Sequence, residues 1–241
     1  PKDNDEDIET KLDLVARFIE TFTVRRSINY KKFGQTAIKY TMFNIIKAIR
    51  NNSAAKLVKN LTKETEAIPQ KWGAIRDFRL HGMNRKFVKH LLCRITSHLD
   101  NLVGKDINYA SYHHPKGKGF EIEHIWADKY NEHKDEFDQI LEFQAWRNSI
   151  GALILLPQGT NQSFNASKYD SKLKHYIKEN TYAQTLNPDY YKKNPNFLKP
   201  AEIKSLKFKA HPEFKKSDVS ERLKLVQRIC EQIWTTDAGG A

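Results

Sequence analysis

Glu123 and His124, with an asparagine of the later polar segment, Asn161 or Asn165, are the residues of this chain whose types and order could do chemistry. An imidazole can take a proton from water near neutral pH. A carboxylate and a side-chain amide oxygen are hard ligands of the kind Mg²⁺ prefers, with waters and a phosphate completing its shell. Together they offer what phosphodiester hydrolysis needs: a base to activate water and a cation to neutralise charge on the phosphate and the leaving oxygen. By itself a Glu-His pair fits a surface pair or a core histidine at least as well. Adjacent strand residues point to opposite faces, so Glu123 and His124 can serve one phosphate only where the strand ends or kinks.

The elements that must position these groups can be read from hydrophobic periodicity. Phe120-Glu121-Ile122-Glu123 alternates in strand fashion, and Ala152 to Leu156 is an apolar run closed by Pro157-Gln158-Gly159, a buried strand followed by a turn. Asn161 and Asn165 fall in the polar segment after that turn. Phe137 to Trp146 has a short helical pattern, and Ser167 to Asn180 reads as a helix with a Ser cap and Tyr169, Leu173, Tyr176 and Ile177 on one face. Before residue 100 the pattern is helical throughout. Leu12, Leu14, Val15, Phe18, Ile19 and Phe22, then Ile38, Met42, Ile45, Ile46 and Ile49, and then Phe87, Val88, Leu91, Leu92, Ile95 and Leu99 recur mostly at three- and four-residue steps, as core faces do. The last of these helices carries Arg85, Lys86, Lys89 and Arg94 on its polar face. His113 to Gly119 reads as a basic loop, and Ser217 to Trp234 as a closing helix.

The fold class that follows is α+β and predominantly helical. Its expected organisation is a helical region at 1–100, a catalytic core at 101–185 and a loop and helix at 186–241, with the acidic start suggesting a piece of a longer protein. An excess of 41 Lys+Arg over 29 Asp+Glu gives a net charge of +12, which attracts a polyanion, nucleic acid ahead of an anionic membrane. The longest apolar stretch, Ala152 to Leu156, is too short to span a bilayer, and no signal-peptide pattern opens the chain. The expected location is cytoplasmic. Cys93 and Cys230 sit in helical patterns as buried thiols, and no Cys-x-x-Cys pair begins a zinc site.

The segments FEIEHIW and RNSIGALILLPQGTNQSFNASKYDSKLKHY resemble the C-terminal HNH nuclease domain of GmrSD-type and SspE-like restriction endonucleases. That family reads approximately Glu/Asp-His-Ile, a spacer, Gly-Asn-Leu-x-Leu-Leu, a loop with Asn, then an aromatic residue and a Lys on a helix. Here the pattern falls on Glu123-His124-Ile125, Gly151 to Leu156, Asn161 with Asn165, Tyr169 and Lys172. The resemblance covers about residues 80 to 180. It implies an embedded ββα-metal (HNH) core, one divalent cation, Mg²⁺ or another, and in-line hydrolysis of DNA in an anti-phage restriction system. By family role His124 is the general base, Glu123 and Asn161 are metal ligands, Asn165 is a further candidate, and Lys172 contacts or neutralises phosphate. Recognition or nucleotide control would come from an N-terminal domain of the same polypeptide. One position departs: Ala152 stands where the family has the middle Asn of the H-N-H signature, and alanine cannot brace the base histidine. The leading expectation is a metal-dependent DNA endonuclease module, inactivated here, by design or by natural decay, if the missing brace is essential; the alternative is a non-catalytic DNA-binding module. An RNA-directed nuclease would use the same chemistry.

Overall fold

The computed structural model describes residues 5–113, 119–164 and 167–235. They divide into two compact units, Pro1–Ala74 with Trp234–Ala241, and Ile75–Ile233.

The first unit is built on α1 (Asp5–Ile28), α2 (Gln35–Ile49) and α3 (Ala54–Glu66). Its core is Phe18 and Phe22 of α1, Ile45 of α2, Leu57 and Leu61 of α3, and Ile68. The four-residue steps put each pair on one helix face. Ser53 caps α3 by accepting the Lys56 N–H. At the other end of α3, the last carbonyls have no partner within the helix. The buried Arg25 guanidinium serves this end, donating to the carbonyls of Thr65, Ile68 and Gln70 at 2.9, 2.7 and 2.6 Å.

The second unit holds the predicted chemistry. Its central helix is α4 (Arg85–Leu102), whose Val88, Leu91, Leu92, Ile95 and Leu99 are buried, as the periodicity requires. A short helix, α5 (Tyr109–His113), precedes β1 (Phe120–His124). After β1 come α6 (Ile140–Arg147), a 3-10 turn at Ile150–Ala152, and β2 (Leu153–Pro157). The two strands are antiparallel, Phe120 opposite Pro157 and His124 opposite Leu153. Residues of both parities in β2, Leu153 to Leu156, are fully buried, which explains an apolar run without alternation. Then follow α7 (Gln158–Phe164), α8 (Tyr169–Tyr176), α9 (Thr181–Gln184), α10 (Pro188–Lys193), α11 (Ala201–Leu206) and α12 (Lys216–Ile233).

Polar groups fasten these pieces. Asp100, buried on α4, accepts from the Tyr112 hydroxyl, the Thr181 N–H at 3.0 Å and Lys105 at 3.3 Å, joining α4, α5 and α9. Trp126 donates its indole N–H to Phe214 O at 2.7 Å. Where α12 meets the turn before β2, a Cβ on Gly151 would stand 2.7 Å from Val219 O and 3.1 Å from Leu223 N. Arg222 donates to the Gly151 carbonyl at 2.9 Å from the same helix.

Several expectations meet a different structure. The helical region does not end at residue 100: α4 packs against α5, β2, α9 and α12, so it belongs to the second unit, which begins at Ile75. No open turn follows β2, because Gln158 starts α7 directly, and Asn161 is therefore a helix residue. Ser167 does not cap α8; Lys168 is the capping residue and gives no side-chain bond, and Asn180 instead caps α9. Trp126 and Phe164 are core residues, whereas Trp146 is half-buried with Lys216 over its ring. Both cysteines are free and buried. Among the described residues no helix is long and apolar enough to cross a membrane.

Gly151→Ala should cost about 1–3 kcal/mol, because the added methyl meets backbone rather than a flexible side chain. Urea unfolding of the two proteins measures it; equal midpoints would remove the close approach.

Candidate active site

Glu121 and Glu123 lie on one face of β1, and His124, two residues beyond the buried Ile122, lies on the other. Two helices reach the glutamate face. From α8, Lys172 donates to Glu123 Oε1 at 2.5 Å and to the His124 carbonyl at 2.8 Å. From α7, Asn161 donates its Nδ2 to Glu121 Oε2 at 2.9 Å. Helix follows strand without a linker at Pro157, which is what carries Asn161 back over β1.

Lys172 is not a surface residue. It is 2 % exposed and Glu123 5 %, so both charges of this pair are out of water. Burial pushes the Glu123 carboxyl up and the Lys172 ammonium down, each opposed by attraction to the other. Lys172 thus neutralises Glu123 and holds the end of β1 through a backbone carbonyl.

His124 is half-buried, and its Nε2 is 2.9 Å from Asn148 Oδ1. Its pKa is pushed down to about 4, first by burial, then by the charge of Arg147, with Lys172 and Arg85 adding to it and the Asn148 bond opposing it. The imidazole is therefore neutral at physiological pH, as a proton acceptor must be. Arg147, at the end of α6, donates to the Trp126 carbonyl at 3.1 Å and is also adjacent to Asn148 in sequence. Arg85 opens α4 and is exposed. A neutral base flanked by cations is suited to receive a phosphate.

Lys172 thus joins the Glu123 side chain directly and reaches His124 through its backbone carbonyl alone. Asn161 joins the same sheet face through Glu121 rather than through Glu123. Ala152 is buried, its carbonyl accepting the Ile125 N–H at 3.0 Å and so extending the strand pairing past His124. Asn165 lies outside the described residues. Glu121, Arg147 and Asn148 were missed in the sequence. The i, i+2 spacing of the two glutamates was the available signal for Glu121; nothing local marked the other two.

One further ligand-type cluster stands apart. His211, Asp218 and Glu221 have ligand atoms within 4.8 Å of one another. Lys209 is paired with both carboxylates, and the Lys215 N–H donates to Asp218 at 2.8 Å, so these oxygens already have partners within the protein.

The family described as GmrSD restriction endonucleases, C-terminal domain, matches residues 68–225, about two thirds of the chain. The chain belongs to this family. No curated protein and no solved structure matches it significantly. Membership makes it a module of the restriction-endonuclease type, from a family of nucleases. Glu123, His124, Ala152, Asn161 and Lys172 all lie in the matched span, and so does α12 as far as Leu225, including the Arg222 that holds Gly151.

Removing one member of the buried pair should be worse than removing both. Lys172→Met leaves a carboxylate stranded and should cost about 3–5 kcal/mol, while Glu123→Gln with Lys172→Met should recover most of it. Urea unfolding of the three proteins checks this, and an additive double variant would contradict it.

The pH dependence has a definite sign. His124 has a folded pKa below its unfolded value, so its contribution to stability is present above about 6.5 and is lost as pH falls toward about 4. In the metal-free protein, His124→Gln should flatten the decline of stability across that window. An unchanged slope would show that the imidazole titrates freely.

Proposed function

We propose that this chain is the catalytic module of an HNH (ββα-metal) endonuclease of an anti-phage restriction system, hydrolysing DNA phosphodiesters with one divalent cation. The observation that carries the reading is the end of β1, where the strand stops: a neutral imidazole at His124 on one face, oxygen ligands on the other, and Asn161 on the helix that follows β2 directly.

Glu121, Glu123 and Asn161 offer oxygens of the kind a hard cation takes, Glu123 through the carboxylate oxygen that Lys172 does not bind. Glu123 and Asn161 would hold the ion, with Glu121 beside them. When bound, it would neutralise charge on the phosphate and on the departing oxygen.

The chain's own residues do the rest. Water gives a proton to the neutral ring of His124, its oxygen forms a bond to phosphorus, and the bond from phosphorus to the bridging oxygen breaks in line. Arg147 and Arg85 attract the phosphate to this point. Its negative charge in turn offsets the cations that depress the imidazole, so substrate binding strengthens the base. Lys172 keeps the Glu123 charge compensated and anchors the backbone carrying His124.

Ala152 favours a second reading, a module that retains the basic surface and has lost cleavage. One experiment separates the two. The chain and its Ala152→Asn variant are assayed for plasmid nicking with and without Mg²⁺, beside His124→Ala in the more active background. Metal-dependent cutting that falls about 10²-fold or more in His124→Ala supports the nuclease. Binding without cutting in every protein supports the second reading. In either case affinity should fall with salt, with a log-log slope of about −0.9 per duplex phosphate neutralised.

A further inference from the structure

His124 is oriented by a residue to which the H-N-H signature gives no role. Asn148 is the C-cap of α6, and its backbone is fixed on both sides: its N–H donates to Gln144 O at 3.0 Å and its carbonyl accepts the Leu80 N–H at 2.7 Å. Its side-chain Nδ2 donates to the same Gln144 carbonyl at 2.9 Å. A carbonyl can only accept, so the amide cannot be turned over without losing that bond. Oδ1 is therefore the atom at 2.9 Å from His124 Nε2.

The tautomer follows. An amide oxygen accepts and does not donate, so Nε2 must carry the hydrogen and Nδ1 the lone pair. The charged neighbours of the ring, Arg147, Lys172 and Arg85, are all donors, so none can take the Nε2 hydrogen in place of Asn148. Ala152, on the turn before β2, has no polar side chain to offer.

We propose that Asn148 is the positioning residue for His124: from the end of α6 it locks the imidazole as the Nε2–H tautomer and presents Nδ1 as the proton acceptor. This rests on His124 being the base. It gives the site an orienting bond from α6, independent of position 152, so the loss of an asparagine there leaves the imidazole still held.

The test reads the ring directly. In metal-free protein labelled with ¹⁵N-histidine at pH 7.5, long-range proton–nitrogen correlation should show His124 as one tautomer, protonated at Nε2, with the signal identified by its absence in His124→Gln. Asn148→Ala should convert it to a mixture or to the Nδ1–H form. Asn148→Asp, which keeps an acceptor but cannot donate to Gln144, should retain Nε2–H, and this variant serves if Asn148→Ala fails to fold. In Mg²⁺-dependent plasmid cleavage, Asn148→Ala should lower kcat roughly 10- to 100-fold with KM unchanged, the usual effect of losing a group that orients another, and Asn148→Asp should restore part of it. An Nδ1–H tautomer in the unsubstituted chain, or an unaltered Nε2–H tautomer in Asn148→Ala, overturns the proposal. Failure of both the chain and Ala152→Asn to cut DNA removes the role of His124 as base, but the tautomer result still decides whether Asn148 sets it.

Discussion

The candidate site depends on a buried ion pair. Glu123 and Lys172 face each other with almost no water, and neither charge could stand there alone. Such a pair contributes little net stability against an apolar replacement, yet it leaves the sheet and α8 one acceptable registry. Slide α8 by a turn, and a carboxylate is stranded beside Tyr176, whose hydroxyl is itself buried without a partner. Because the same ammonium also binds the His124 carbonyl, the registry of α8 fixes where β1 ends. The strand end is where two consecutive side chains with different duties must part, one toward the helices and one toward the cations.

Electrostatics divides the two sides of β1. On the glutamate side, Lys172 matches Glu123 out of water, while the half-buried Glu121 accepts from Asn161. On the histidine side, Arg147 and Arg85 face a neutral ring, and the local excess is positive. This local asymmetry is more informative than the net charge of +12, which would be as well explained by scattered surface lysines. It places attraction for an anion at the group able to activate water, and the exposed start of α4, Arg85 and Lys86, continues it at the surface.

Much of this was legible in the sequence because it is periodic or local. The buried stripe of α4 and the strand at Leu153 to Leu156 follow from spacing and from an unbroken apolar run. The family pattern marked Glu123, His124, Asn161 and Lys172, but not the partners each of them has. What escaped was set by contacts distant in sequence. Lys172 looks like any helix lysine until its stem is seen under Glu123, 49 residues away. Asn148 lies 24 residues from His124 in an unremarkable Arg-Asn-Ser. The boundary at residue 100 followed a shift in composition, whereas α4 is held in the second unit by Asp100 and by helices that come much later. The Ser cap expected for α8 is also absent: Lys168 precedes the helix and gives no side-chain bond.

The grip of α12 on Gly151 bears on the order in which this protein can be made. The turn before β2 is closed by Arg222 and by the backbone at Val219 and Leu223, about seventy residues downstream. A chain emerging from the ribosome therefore carries Glu123, His124 and Asn161 long before the segment that clamps their strand has been synthesised. The turn before β2 therefore takes its final geometry only once a segment about seventy residues later has packed against it. A message truncated before residue 216 would yield a polypeptide with every motif of the site and no α12 to seat them.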